Sequence, residues 1–188
     1  EEVKNIVDKG EYFVFQSKRI IGEKYYNEII ENIKEINNKY KLKCLLLPVG
    51  YAQGHEDQSV LKKIHTELEN ITIMFDFNNV YEIMYLIKNA KFFVGTSLHG
   101  LITSIAYKVP HFAFTNEIKK QINFLETWNT TPIIYTDADK MYVTASLILE
   151  NYLSAKEQVT IKQKELEDLV INNFKKINEL IILVDNNE

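Results

Sequence analysis

The chain has 188 residues, 46% of them apolar and 26% charged, and a net charge of −4 at neutral pH. These values fit one globular unit with its own core, and no apolar run approaches the roughly 18 residues that a membrane helix needs. The 22 basic residues are outnumbered by 26 acidic ones and form no stripe, which argues against a nucleic-acid partner.

Residues 1–10 mix acids, lysines and short apolar side chains, a pattern of neither a secretory signal nor a transit peptide. The single cysteine, Cys44, sits in an apolar stretch and has no disulfide partner. The reducing cytosol is therefore the simplest compartment, and buried filler the simplest role for the thiol.

In chain order, residues 12–16 are an aromatic and β-branched run that predicts a strand. A polar turn follows, then a helix marked by Tyr26, Ile29, Ile30, Ile33 and Tyr40. Residues 42–48 lack polar alternation, as expected of a strand buried on both faces of a parallel sheet. Val60, Leu61, Ile64 and Leu68 mark the next helix. Strands are then predicted at 71–75, 91–94, 111–114 and 132–135, with helices at 80–88, 98–107, 117–127 and from about 139.

Six strand–helix units with right-handed crossovers imply a doubly wound, mostly parallel six-stranded α/β sheet covered by helices on both faces. Residues 156–183 read as one long final helix with Leu166, Leu169, Val170, Phe174, Ile177 and Ile181 on one face, whose partner lies outside this sheet. The chain has six glycines, three prolines, no repeat and no linker, so 1–188 reads as a single domain.

For strand order 3-2-1-4-5-6, ligands bind beyond the carboxyl ends of strands one and four. That rule selects two loops. The first holds Gln16, Ser17, Lys18 and Arg19, the last being the only arginine in the chain; the second is Gly95-Thr96-Ser97-Leu98-His99-Gly100. In the second loop Gly95 permits a sharp turn, Thr96 or Ser97 can cap the helix, and the first-turn amides offer an anion site. Gly100 costs a helix about 1 kcal/mol against alanine, so it implies close approach of a ligand or neighbouring backbone.

His99 faces that space as a phosphate partner or general acid, with a packed structural histidine as the alternative. Arg19 is read as an anion contact or a solvated charge. His55, Glu56 and Asp57 open a helix at the same edge, where acids also simply complement the helix dipole. His65 and His111 are expected to be structural. Asp76 after the third strand gives some credit to a non-catalytic flavodoxin-like domain, but the first loop supplies no acids for magnesium.

Two segments carry a resemblance: Leu45-Leu46-Leu47-Pro48-Val49-Gly50 with His55-Glu56-Asp57, and Ala90 through Ile102, containing Gly95-Thr96-Ser97-Leu98-His99-Gly100, continuing to Val109-Pro110. Together they resemble the polysaccharide pyruvyl transferase family over about residues 12–114. The resemblance implies a Rossmann-like C-terminal half of a GT-B-type fold, an absent N-terminal half, and a terminal helix that braces it. It further implies transfer of a pyruvyl group from phosphoenolpyruvate to a sugar of a cell-surface polysaccharide or its precursor, in the cytoplasm or at the inner membrane face. No metal and no cofactor are implied.

In that reading His99 is the acid or phosphate ligand. Gly95, Thr96, Ser97, Leu98 and Gly100 hold phosphate, with Lys18, Arg19, His55 and Glu56 as further binding residues. Ser97 stands where many relatives carry arginine, which leaves the phosphate charge to backbone, His99 and Arg19. A nucleotide-sugar glycosyltransferase is the rival, with Glu56 as a ribose contact.

Overall fold

The computed structural model describes residues 2–8, 11–49, 57–74, 79–128 and 130–185. Helix α1 (Glu2–Asp8) precedes strand β1 (Tyr12–Gln16), and α2 (Arg19–Lys24) and α3 (Tyr26–Tyr40) lead to β2 (Lys43–Leu46). Then come α4 (Asp57–Glu67), β3 (Thr72–Met74), α5 (Val80–Lys88), β4 (Phe93–Gly95), α6 (Leu98–Ala106), β5 (His111–Ala113) and α7 (Lys119–Trp128). A 3-10 turn (Ala138–Lys140), α8 (Met141–Glu150) and α9 (Tyr152–Asp185) complete the chain.

The sheet order is β3-β2-β1-β4-β5, every pair parallel, and β1 is its central strand. All five β1 residues are buried. Their alternation divides them between two cores: Phe13 and Phe15 join α2, α3, α4 and α8 on one face, while Tyr12 and Val14 join α1, α5, α6 and α7 on the other. This is why residues 12–15 and 44–47 read as unbroken apolar runs. On the first face Phe13 stacks on Phe92 with centroids 4.9 Å apart, and Phe92 on Phe112 at 5.9 Å. On the second, the Tyr12 hydroxyl donates to the Leu86 carbonyl at 2.7 Å. Burial of that phenol pushes its pKa up.

The expected sixth strand shrinks to one parallel bridge between Ala113 and Tyr135, so the sheet has five strands among the described residues. Only Ala113 contributes, donating to the Ile134 carbonyl at 2.9 Å and accepting from the Thr136 amide at 3.1 Å. One step earlier the His111 carbonyl is taken by the Thr131 hydroxyl at 2.8 Å, and Pro132 has no N–H to offer. A side chain thus makes the bond a longer ladder would need.

His111 and His65 have structural partners. The His65 Nδ1 pairs with the Thr72 hydroxyl at 2.7 Å. His111 is fully buried, with Nδ1–H donating to the Val109 carbonyl at 2.9 Å and Nε2 facing the Thr130 hydroxyl at 3.2 Å. Burial pushes its pKa down to about 4. Between pH 6.5 and that value the unfolded chain takes up a proton that the folded chain refuses, so stability falls with pH at up to ~1.4 kcal/mol per unit and is unaffected above 6.5. Urea unfolding at pH 7.5 and 5.0 should therefore differ by about 2 kcal/mol from this group, and His111→Gln should abolish that share. Equal losses in both proteins would show that His111 is not the sensor. Cys44 is buried, and burial pushes its thiol up, in keeping with a filler role.

Helix α9 packs through Ala155 and Val159, both buried, and then projects. Leu169, Val170, Phe174, Ile177 and Ile181 lie along its exposed length, Phe174 being 63% exposed. Among the described residues no helix is long and apolar enough to cross a membrane.

Candidate anion-binding site

The site grows from the register of β1 and β4, whose last residues, Gln16 and Gly95, lie side by side. A Cβ on Gly95 would stand 2.7 Å from the Gln16 carbonyl oxygen, so glycine permits this close approach. Beyond it, the Thr96 amide donates to both the Gln16 carbonyl (3.2 Å) and Oε1 (3.0 Å), and the Thr96 hydroxyl lies 3.3 Å from the same Oε1. The Lys18 amide donates to Thr96 Oγ1 at 2.7 Å. Thr96, buried and saturated, ties the two loops together.

Ser97 caps α6: its backbone is extended and its hydroxyl accepts from the Gly100 amide at 3.2 Å. The Leu101 amide returns to the Ser97 carbonyl at 3.2 Å. The backbone N–H groups of Ser97, Leu98 and His99 have no hydrogen-bond partner among the described residues, so the positive end of α6 is open there. Gly100 serves packing: a Cβ would lie 2.3 Å from Cζ of the buried Phe93 ring, so it is a side chain of β4 that approaches closely.

These amides open onto a cleft of about 310 Å³ whose lining includes Lys18, Ser97, His99, Lys120 and Gln121. Among the described residues that line it none is acidic and two are lysines, so their field favours an anion. His99 is exposed on the first turn of α6, and Leu98 and Val49 supply apolar wall. Gln121 is fully buried; its Nε2 donates to the Gly95 carbonyl at 3.3 Å and its Oε1 has no partner among the described residues.

The structure thus brings Gly95, Thr96, Ser97, Leu98, His99, Gly100 and Lys18 to one edge. Arg19 opens α2 outside the cleft lining, its guanidinium 3.6 Å from Glu23 one turn on. His55, Glu56, Gly50 and Asp76 lie outside the described residues. Sequence reasoning missed Lys120 and Gln121, contributed by α7 after β5. The edge rule, applied to a third strand, was the signal that could have found them. A larger groove of 680 Å³ lies against α2, α3 and α4, but it sets Glu23 and Glu67 against Lys62 and Lys63, so its charges offset one another and the smaller cleft is the better anion site.

A model of the polysaccharide pyruvyl transferase family matches residues 2–118, well over half of the chain and all of the strand-end loops described above. The chain belongs to this family. No curated protein sequence matches it significantly. Among solved structures, this pyruvyl transferase family domain is similar to the C-terminal CMP-Kdo-binding domain of WaaA from Acinetobacter baumannii, with TM-score 0.59 and 14% identity over 87% of this chain and 95% of that one. It is also similar to a UDP-GlcNAc 2-epimerase from Neisseria meningitidis, with TM-score 0.63 and 10% identity over 92% of this chain and 47% of that one. The glycosyltransferase SnogD from Streptomyces nogalater gives TM-score 0.57 and 13% identity over 84% and 40%.

At these identities the likeness is one of fold, that of a GT-B-type Rossmann-like domain. The pyruvyl transferase family domain spans less than half the length of the epimerase and of SnogD.

Proposed function

We propose that this chain is the phosphate-binding half of a polysaccharide pyruvyl transferase, working with an N-terminal half on phosphoenolpyruvate and a sugar of a surface polysaccharide or its precursor. The observation that carries the reading is the meeting of open Ser97, Leu98 and His99 amides with His99, Lys18 and Lys120 in a cleft with no acidic residue among its described lining; all of these but Lys120 lie inside the segment matched by the family model. The helix terminus and the two lysines hold the phosphate group, taking the part that arginine plays in many relatives. Gly95 and Thr96 build the turn, Ser97 and Gly100 cap it, and Arg19, His55 and Glu56 remain proposed outer contacts.

The chemistry balances with what a single acid supplies. His99 delivers a proton to the enol methylene, which becomes a methyl group beside an oxocarbenium-like carbon. One sugar hydroxyl bonds to that carbon and gives up its proton. The C–O bond to phosphate then breaks, a second hydroxyl takes its place, and the two hydroxyl protons replace the one His99 gave and protonate the departing phosphate. Amides fixed at the phosphate oxygens stabilise the charge that grows on them as they leave. No cofactor enters this scheme, and the reaction is assigned to the cytoplasmic side of the membrane.

A nucleotide-sugar glycosyltransferase is the second reading, favoured by the structures named for CMP-Kdo and UDP-GlcNAc, since a helix N-terminus takes a diphosphate equally well. Thermal shift against phosphoenolpyruvate, CMP, UDP and inorganic phosphate separates the two. Phosphoenolpyruvate should raise the midpoint at concentrations where CMP and UDP do nothing. Stabilisation by a nucleotide alone would replace the pyruvyl transferase reading with the second.

A further inference from the structure

We infer that Gln121 forms a hydroxyl-accepting subsite beside the anion site, so that the cleft takes a phosphate together with a sugar hydroxyl. The inference rests on the anion site of the proposed function and adds a specificity-determining residue to it. Gln121 is 0% exposed, yet it lines the cleft and its Oε1 finds no hydrogen-bond donor. A buried acceptor left unmade is costly, and such groups in native proteins have a reason.

The amide orientation is fixed by chemistry: the Gly95 carbonyl accepts and cannot donate, so the atom facing it at 3.3 Å is Nε2, leaving Oε1 as the unpaired atom. That distance is long for a hydrogen bond, and the terminal torsion of glutamine is soft, so a small turn presents Oε1 to an incoming group. Because Oε1 only accepts, the group it awaits must be a donor. Phosphate oxygens and carboxylates, the acceptor-rich ends of phosphoenolpyruvate, cannot satisfy it. A hydroxyl placed next to the phosphate can, and the attacking hydroxyl of a sugar has to lie there.

The test uses two small probes on the chain itself. 2-Phosphoglycerate shares the carbon skeleton, phosphate and carboxylate of phosphoenolpyruvate and adds a hydroxyl. Calorimetric titration should show the wild type binding 2-phosphoglycerate about 3- to 10-fold tighter than phosphoenolpyruvate, the worth of one net hydrogen bond. Gln121→Leu should erase that preference while keeping phosphoenolpyruvate affinity within about 2-fold, and Gln121→Met takes its place if leucine fails to fold. Equal affinity for the two probes in the wild type, or a preference that survives in the variant, overturns the subsite while leaving the anion site standing. If neither probe binds better than inorganic phosphate, the subsite and the proposed function fall together.

Discussion

Replacing His99 by asparagine lowers kcat of the complete transferase by about 10² or more if the imidazole delivers the proton to phosphoenolpyruvate. Asparagine keeps a hydrogen-bonding end but has neither a transferable proton nor a positive charge. If His99 only holds phosphate, the loss appears chiefly as a higher KM for phosphoenolpyruvate. The side chain is exposed on the first turn of α6, so the thermal midpoint of the variant should stay close to wild type. An unchanged midpoint with full activity would end the functional assignment, and a large drop in midpoint would make His99 a structural residue.

The second large effect is on stability. Gly100→Ala places a methyl group 2.3 Å from Cζ of Phe93, a ring buried against Leu101, Ala113 and Leu125 in the core beneath α6. Helix propensity alone predicts a gain of about 1 kcal/mol for alanine. Overpacking of a closed core costs ~1–3 kcal/mol or more and should win, because the ring has no open space to enter. Urea unfolding measures the balance, and Phe93→Leu in the same chain should recover part of the loss through a non-additive double mutant. A stabilised Gly100→Ala would mean that the close packing of α6 on β4 has been misread.

Gly100 also shows how far a sequence reaches. Its cost inside a helix marked a close approach, but only tertiary structure reveals that Phe93, seven residues earlier, is the neighbour. The sheet was legible because strands buried on both faces leave continuous apolar runs, and residues 12–15 and 44–47 do so. Residues 132–135 carry two β-branched residues, Ile133 and Ile134, but could not extend the sheet, since Thr131 claims the carbonyl they needed. Helix α1 was overlooked because seven residues carry too little periodicity; Val3 and Ile6 are held by packing.

Of the site, the half contributed by β1 and β4 was legible from the strand-end rule and the half contributed by α7 was not. Lys120 and Gln121 carry no motif; they matter because β5 sets α7 against the same edge. Thr96 illustrates a different limit. A threonine in a phosphate-type turn reads as a ligand, whereas its amide and hydroxyl are spent joining Gln16 to Lys18.

In the proposed function the open amides at the start of α6 hold the phosphate of phosphoenolpyruvate. Amide chemical shifts of the nitrogen-15-labelled chain, followed during a phosphoenolpyruvate titration, test it residue by residue. Saturable shifts should centre on Ser97, Leu98 and His99, with smaller ones at Lys18 and Lys120. Shifts gathered instead at the groove lined by Lys62 and Lys63, with the three α6 amides unmoved, would contradict it.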